Sequence, residues 1–163
     1  MSETLTGGCQ CGAIRFATKL LGRPSICHCR MCQKAFGGLF GPLVTSHDGH
    51  WTRGKPKWFK SSNLARRAFC PDCGTPLAYE TRYGLELAIG AFDEPAKVAP
   101  LIQVNLAEKQ PFFDKLTSLP EKNDASEEWL DFLSGVHSRQ HPDHDTENWP
   151  LAGSDFKGKD DER

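Results

Sequence analysis

Cys27-His28-Cys29-Arg30-Met31-Cys32 places three cysteines within six residues, and two further cysteine pairs flank this stretch. The pairs are Cys9 with Cys11 and Cys70 with Cys73, so the seven cysteines of the chain fall into three tight groups. A structural zinc takes four ligands, whereas a reactive zinc keeps one position open. The central stretch therefore predicts an open site, and the two outer pairs together predict a closed structural site.

Two alternatives to zinc stay open at this point. Four sulfurs also hold iron, although the spacings match neither of the usual iron-sulfur cluster patterns. Free cysteines are also often small buried hydrophobic residues. The stretch 70–74, Cys-Pro-Asp-Cys-Gly, favours a metal, because a two-residue spacer lets both sulfurs reach one ion and the glycine tolerates a tight, left-handed turn.

The composition indicates one globular domain with a polar extension. The chain has 163 residues, 38% hydrophobic and 25% charged, with a net charge of −1. Twenty basic residues against 21 acidic ones give no general attraction to nucleic acid or to an anionic membrane. No stretch is long and apolar enough to span a bilayer, and the N-terminus lacks the features of a signal peptide. With tight groups of free thiols, this predicts a cytoplasmic protein.

The hydrophobic pattern predicts a mainly β domain of short antiparallel strands. The candidate segments are short and separated by Gly, Pro, Asn or Asp. Alternation is present in residues 13–18 and is clear in 85–89 and 101–106, and Pro42 indicates an edge strand or a bulge. The predicted strands lie within residues 13–18, 37–45, 57–60, 76–80, 85–89 and 101–106.

One helix is expected near the C-terminus. Residues 124–127 have the form of a capping box, and apolar side chains recur at helical spacing from Glu128 to His137, which predicts an amphipathic helix that docks on the domain. Beyond it the chain is polar, and a mobile tail is expected from about Gln140. The resulting division is a zinc-binding β domain over 5–115, a helical extension over 116–139 and a mobile polar tail over 140–163.

Several motifs together carry a resemblance to a known family. They are Gly8-Cys9-Gln10-Cys11-Gly12, the stretch 27–32, Phe59-Lys60-Ser61-Ser62 and residues 67–77, which run Arg-Ala-Phe-Cys-Pro-Asp-Cys-Gly-Thr-Pro-Leu. From roughly residue 5 to residue 113 the chain resembles the glutathione-dependent formaldehyde-activating enzyme family, which includes the centromere protein V domain. Gly90, Asp93 and Pro95 also match the family's Gly-x-x-Asp-x-Pro turn.

The resemblance implies a β-tent-like fold and two zinc ions per chain. It implies a structural zinc on Cys9, Cys11, Cys70 and Cys73, and a second zinc on the open, catalytic site formed by Cys27, Cys29 and Cys32. This is the same division that the count of ligands predicts.

The implied activity is the addition of glutathione to formaldehyde to give S-hydroxymethylglutathione, which would make the protein a carbon-sulfur lyase with a small thiol and an aldehyde as its partners. An open zinc could hold the thiolate or polarise the aldehyde oxygen. Two alternatives remain: a carrier of glutathione or its adduct that does not catalyse, and a protein-interaction domain stapled by zinc. The chain departs from the family at Leu101, near the usual position of a histidine, and at Phe112, where a tryptophan is common, and both departures bear on the substrate.

Three residues match family positions that could contact glutathione. Ser61 and Ser62 could offer hydroxyl groups, and Arg67 could offer its guanidinium to the glutathione carboxylates. Serine pairs of this kind are equally typical of turns. Arg30 and Lys34 could supply a positive charge near the open zinc, and His28 is expected to be a structural group rather than a proton carrier.

Overall fold

The computed structural model describes residues 3–122 and 124–150, which form two β-sheets with few helices. This confirms the predicted mainly β fold with a C-terminal helix. The smaller sheet is antiparallel, in the order β1, β2, β5. Its strands are Leu5–Gly8 (β1), Arg15–Thr18 (β2) and His50–Arg53 (β5).

The larger sheet has seven strands in the order β10-β3-β4-β9-β8-β7-β6, and only the pairing of β10 with β3 is parallel among the described strands. Its strands are Ser25–Cys27 (β3), Gly41–Ser46 (β4), Lys57–Lys60 (β6), Ala65–Phe69 (β7), Pro76–Thr81 (β8), Gly84–Ala88 (β9) and Ile102–Val104 (β10). The α-helices are Arg30–Phe36 (α1) and Glu127–Ser134 (α2), and four 3₁₀ turns cover Ile89–Ala91, Pro95–Val98, Leu106–Glu108 and Phe113–Ser118.

The two faces of the larger sheet have different roles. Val44, Leu87, Ala78 and Ala68 pair across four adjacent strands and are all buried in one core cluster. Phe16 of the smaller sheet is fully buried in the same cluster, and burial of such a side chain contributes about 2 to 3 kcal/mol. Since successive side chains alternate between faces, the neighbouring positions point away from this core.

The opposite face carries a row of polar and aromatic residues. Thr45, Glu86, Tyr79, Arg67 and Phe59 are paired across β4, β9, β8, β7 and β6. Helix α1 lies on this face, beside the row.

Helix α1 approaches β4 at a glycine. A Cβ atom at Gly41 would lie 2.9 Å from Cβ of Cys32 and 3.0 Å from the ring of Phe36. Only glycine allows the helix to come this close to the sheet.

Pro42 was predicted to mark an edge or a bulge, and that prediction is wrong. Strand β4 lies inside the sheet, between β3 and β9. Pairing with β9 begins at Leu43, so this ladder does not include Pro42 and needs no N–H from it.

The C-terminal helix forms, but the predicted docking is wrong. The helix starts after Ser126, which lies within the predicted capping stretch 124–127 and whose Oγ accepts a hydrogen bond from the N–H of Trp129. Trp129 is 52% exposed and Phe132 is 61% exposed, and no residue of α2 is buried. Helical periodicity predicts an apolar stripe but does not supply the surface that would cover it.

The segment expected to be a mobile tail packs on the domain over its described part. His141 is buried, and Trp149 packs against the core cluster and donates from Nε1 to the carbonyl of Cys11. The sequence-based expectation rested on low apolar content, whereas this segment is held mainly by hydrogen bonds and an ion pair. Residues 151–163 of the predicted tail lie outside the described residues.

Candidate metal centres

The four-cysteine cluster joins two turns that are distant in sequence. Cys9 and Cys11 follow β1, and Cys70 and Cys73 lie in the turn between β7 and β8. The four sulfur atoms lie within 4.8 Å of one another. Both turns are closed by a glycine with positive φ, whose N–H bonds back to the carbonyl of the first cysteine of the pair.

The geometry of this cluster fits a tetrahedral zinc. Zinc-sulfur bonds of about 2.3 Å require sulfur-sulfur separations of about 3.8 Å. The Sγ atoms of Cys9 and Cys11 are 3.5 Å apart, and those of Cys11 and Cys70 are 3.8 Å apart. Cys9, Cys11 and Cys70 are buried, so the site is closed as a structural site requires.

The thiolate form is favoured at one cysteine of this cluster, Cys73, and the thiol form at its neighbours Cys9 and Cys11. A hydrogen bond from the thiol of Cys9, together with bonds from Thr75, lowers the pKa of Cys73 to about 3. The same contact between sulfurs and the burial of the group raise the pKa of Cys9. Sulfurs crowded in this way are stabilised when a cation replaces their protons.

The three-cysteine cluster is built at the junction of β3 and α1. Cys27 ends β3, Cys29 is the residue before α1, and Cys32 lies in the first turn of the helix, where its N–H bonds to Sγ of Cys29 at 3.4 Å. The three sulfurs lie within 4.8 Å of one another, which also fits a single ion. Three ligands leave one position of a tetrahedral ion for a further ligand.

Two side chains from outside this stretch donate hydrogen bonds to its sulfurs. Nδ2 of Asn105 lies 3.0 Å from Sγ of Cys27, and Nη2 of Arg67 lies 3.4 Å from Sγ of Cys32. Hydrogen bonds, first from the thiol of Cys32 and also from Asn105, lower the pKa of Cys27 to about 5. Arg67 places a permanent positive charge beside the three sulfurs.

Asn105 was missed by sequence reasoning. The parallel pairing of β10 with β3 sets Val104 opposite Cys27, which carries the next residue to the cluster. Asn105 has a φ of 56°, a left-handed conformation that asparagine tolerates better than most residues. No local sequence signal predicts this contact, because it depends on a pairing between segments 78 residues apart.

His28 lies between two predicted ligands but points into the protein. Its side chain is fully buried, with Nε2 2.9 Å from Oε1 of Gln103 and the ring of Phe113 packed edge-on at 4.8 Å. Its carbonyl accepts a 2.6 Å hydrogen bond from Nε2 of Gln33, and that amide also bonds to the carbonyl of Glu108. These bonds tie the cysteine stretch to the segment after β10.

The three predicted glutathione contacts are placed differently from one another. Arg67 and Ser61 line a cavity of about 380 Å³, together with residues of α1 and Phe59. Ser62 instead closes a turn, since its Oγ accepts a hydrogen bond from the N–H of Leu64. The structure therefore brings Arg67 and Ser61 to one cavity and leaves Ser62 outside its walls.

Arg67 is held between the cavity and the cysteines. It is 8% exposed, and its guanidinium lies over the ring of Tyr79 at 4.7 Å. Its Nε is buried with no hydrogen-bond partner among residues 3–122 and 124–150. Glu86 belongs to the same row of polar and aromatic residues across the larger sheet, and its pKa is raised by burial and by the charge of Cys27. These neighbours are brought together by strand pairing and were not predicted from the sequence.

The two departures from the family pattern both lie at the surface. Leu101 directly precedes β10 and is 72% exposed, and Phe112 is 50% exposed. Neither lines the 380 Å³ cavity. No helix of the described ranges is long and apolar enough to cross a membrane.

Comparison with known proteins finds one family. The family described as glutathione-dependent formaldehyde-activating enzyme matches residues 4–108, which include both cysteine clusters. No curated protein sequence matches the chain. A solved crystal structure of a Rhodobacter sphaeroides protein is similar with a TM-score of 0.49, at 19% identity over 61% of this chain and 99% of the other.

Proposed function

Because the chain belongs to the glutathione-dependent formaldehyde-activating enzyme family, we propose that it binds glutathione or a similar small thiol at an open zinc site and promotes S-hydroxymethylglutathione formation from formaldehyde or a related aldehyde. The ligands in this proposal are Cys27, Cys29 and Cys32. The observation that carries it is the approach of three sulfurs to within 4.8 Å of one another, with no fourth Cys, His, Asp or Glu grouped with them among the described residues.

The ligand count explains why the site suits a thiol. Zinc bound there would supply one open coordination position, which accepts a thiolate or polarises an aldehyde oxygen. Soft sulfur ligands suit a further thiolate better than a carboxylate. We assign the four-cysteine cluster to a second, structural zinc, since its ligands are complete.

The side chains around the open site balance its charge. Three thiolates and a dication leave a net charge of −1, which opposes the approach of a fourth anion. The guanidinium of Arg67 lies 3.4 Å from Sγ of Cys32, and the amide of Asn105 lies 3.0 Å from Sγ of Cys27. Both donors withdraw electron density from the sulfurs, and Arg67 also offsets the negative charge.

In this proposal, the cavity that shares Arg67 with the cluster holds the remainder of the thiol. Its volume of about 380 Å³ lies in the range of small-molecule sites. Arg30 and Lys34 on α1 and Arg67 on β7 line it, and these three cations suit a ligand with carboxylates. Ser61 adds a hydroxyl group at the wall. Free thiols at both clusters suit the reducing conditions of the cytoplasm.

One observation favours the alternative of a protein-interaction domain. Helix α2 exposes Trp129, Leu130, Phe132 and Leu133, and an exposed apolar face of this kind is typical of interaction surfaces. On that alternative both clusters would serve the fold alone, and no thiol would bind at Cys29.

Calorimetry with glutathione and S-methylglutathione tests the proposal. We expect glutathione to bind with release of about one proton, since a thiol must lose its proton to become a ligand. S-methylglutathione cannot supply a thiolate and should bind at least about tenfold more weakly, a difference of about 1.4 kcal/mol. Titration in buffers of different ionisation enthalpy counts the protons.

Two matched variants test whether glutathione binding depends on the three-cysteine site. Cys29→Ser should lose glutathione binding, whereas Ser62→Ala should bind as wild type because its hydroxyl closes a turn outside the cavity. Equal binding of both ligands without proton release would contradict the proposal. Where glutathione binds as expected, timing adduct formation against the uncatalysed rate distinguishes an enzyme from a carrier.

A further inference from the structure

Residues 140–150 form a strap across the four-cysteine cluster. The N–H of His141 donates to the carbonyl of Gln10 at 2.7 Å, and Nε1 of Trp149 donates to the carbonyl of Cys11 at 2.6 Å. Both acceptors belong to the turn that carries Cys9 and Cys11. The strap therefore satisfies two carbonyl groups of a metal-ligand turn, from a segment about 130 residues away in sequence.

The ring of His141 completes the cover of this turn. A Cβ atom at Gly12 would lie 2.1 Å from Cδ2 of His141, so the ring occupies the space that any larger residue would fill. Its Nδ1 lies 2.8 Å from the carbonyl of Pro142, and its Nε2 lies 3.0 Å from Oγ1 of Thr146. Burial lowers the pKa of His141, which agrees with a neutral ring held by these two contacts.

Two arginines of the smaller sheet donate hydrogen bonds to the strap. Nε of Arg15 donates to Oδ1 of Asp145 at 2.8 Å, and Arg53 donates to both the carbonyl and Oγ1 of Thr146. Nη1 of Arg53 also reaches the carbonyl of Gly12 at 3.2 Å. The strap and the ligand turn thus share the same donor.

A cavity lies beside the strap and two of the ligands. It has a volume of about 410 Å³, and its lining includes Cys9 and Cys73 of the cluster and His141, Pro142 and Asp143 of the strap. The strap therefore forms part of the wall of the space next to these two sulfurs. Cys73 is also the least buried of the four ligands, so this is the side from which the cluster is approached.

We propose that the strap controls access to the four-cysteine cluster, slowing the release of its metal and the reaction of its sulfurs. The family match ends at residue 108, so the strap is a feature of this chain outside the matched region. The strap would open locally before a reagent reaches the cluster, and the free energy of that opening would set the rate at which the sulfurs are modified. The strap contacts described above lie at the turn of Cys9 and Cys11 and at Arg15 and Arg53, so the three-cysteine cluster serves as an internal reference for any general loss of stability.

The test measures alkylation of each cysteine in the zinc-loaded protein. Iodoacetamide and excess chelator are added to the protein. Each exposed cysteine sulfur forms a carbon-sulfur bond with loss of iodide. Peptide mass spectrometry at successive times gives the rate of modification of each cysteine. The chain that ends at Arg139 lacks the strap, and the chain that ends at Pro150 keeps it as the matched control. Helix α2 is present in both.

We expect loss of the strap to accelerate modification of the four-cysteine cluster at least about tenfold, the factor that follows when one or two net hydrogen bonds no longer oppose local opening. Cys27, Cys29 and Cys32 should change less than about twofold in the same sample. The chain that ends at Pro150 should match the full chain.

Substitutions within the strap give the second arm of the test. Asp145→Asn with Trp149→Phe removes the ion pair and the donor to Cys11. The first change keeps the shape of the side chain, and the second keeps one aromatic ring at the place where Trp149 packs. Asp143→Asn makes the same acid-to-amide change at an acid that, within residues 3–122 and 124–150, accepts a hydrogen bond from Gln140 of the strap itself. The double variant should accelerate modification of the four-cysteine cluster, and the control should not.

Two results would overturn the proposal. One is a four-cysteine cluster that reacts as slowly without the strap as with it. The other is equal acceleration of all seven cysteines in both the truncated chain and the double variant, which would show general destabilisation. Neither outcome depends on thiol or aldehyde chemistry at the three-cysteine cluster, so the strap and the proposed function are tested separately.

Discussion

The buried ion pair between Arg15 and Asp93 gives a sharp prediction about stability. Arg15 is 2% exposed, and its Nη1 and Nη2 atoms lie 2.8 and 2.5 Å from the two carboxylate oxygens of Asp93. Thr6 on β1 adds a 2.6 Å hydrogen bond to the same carboxylate. The ion pair and the bond from Thr6 join β1, β2 and the turn that carries Asp93, so loss of the pair affects the packing of the smaller sheet.

We expect Asp93→Asn to lower the free energy of unfolding by about 3 kcal/mol, because removal of one partner leaves a buried charge without full compensation. For a chain of this size that corresponds to a fall of roughly 10 °C in Tm. Asp145→Asn is the matched control, since the side chain of Asp145 is 47% exposed and its pair with the same arginine should be worth under about 1 kcal/mol.

The pair also predicts a pH dependence. Burial alone would raise the pKa of Asp93, but the hydrogen bonds from Arg15 and Thr6 outweigh it and hold the pKa below its usual range. A carboxyl with a lowered folded pKa contributes stability that is present above about pH 4 and is lost as the pH falls further. Urea unfolding at several pH values should show this loss in the wild type and a flatter profile in Asp93→Asn. Equal effects of the two substitutions at pH 7 would refute the reasoning.

Two further predictions concern the metals and the terminal helix. The purified protein should contain about two zinc ions by elemental analysis. Cys73→Ser should unfold, whereas Cys29→Ser should keep its circular dichroism spectrum and lose one zinc. Iron in place of zinc, or equal collapse of both variants, would contradict the assignment of four cysteines to one zinc and three to the other. Phe132→Ser should change the free energy of unfolding by less than about 0.5 kcal/mol, because the side chain is 61% exposed on α2, and a larger loss by urea unfolding would indicate that the helix docks.

Local spacing accounts for what the sequence predicts well. Cys70 and Cys73 reach one ion because only two residues separate them, and a glycine completes the turn. Period-2 alternation and turn residues identify strands such as β9 and β10 for a similar reason, since both signals lie within a few residues. The grouping of ligands and the mainly β fold are therefore readable from the chain alone.

Pairings between distant segments decided the rest of the site. Asn105 reaches Cys27 through the parallel pairing of β10 with β3, and Arg67 reaches Cys32 because β7 and α1 share one face of the larger sheet. The sequence contains these residues but no local pattern that marks them as neighbours of the sulfurs.

The helical extension and the segment that follows it show the same division. By itself the sequence determined that residues near Trp129 form an amphipathic helix, because periodicity is a property of one segment. Only the tertiary structure decided that this helix stays exposed and that the polar residues after Gln140 cover a cysteine cluster. The reason is physical: helical periodicity depends on neighbours in sequence, whereas a hydrogen bond from His141 to Gln10 exists only after the chain has folded.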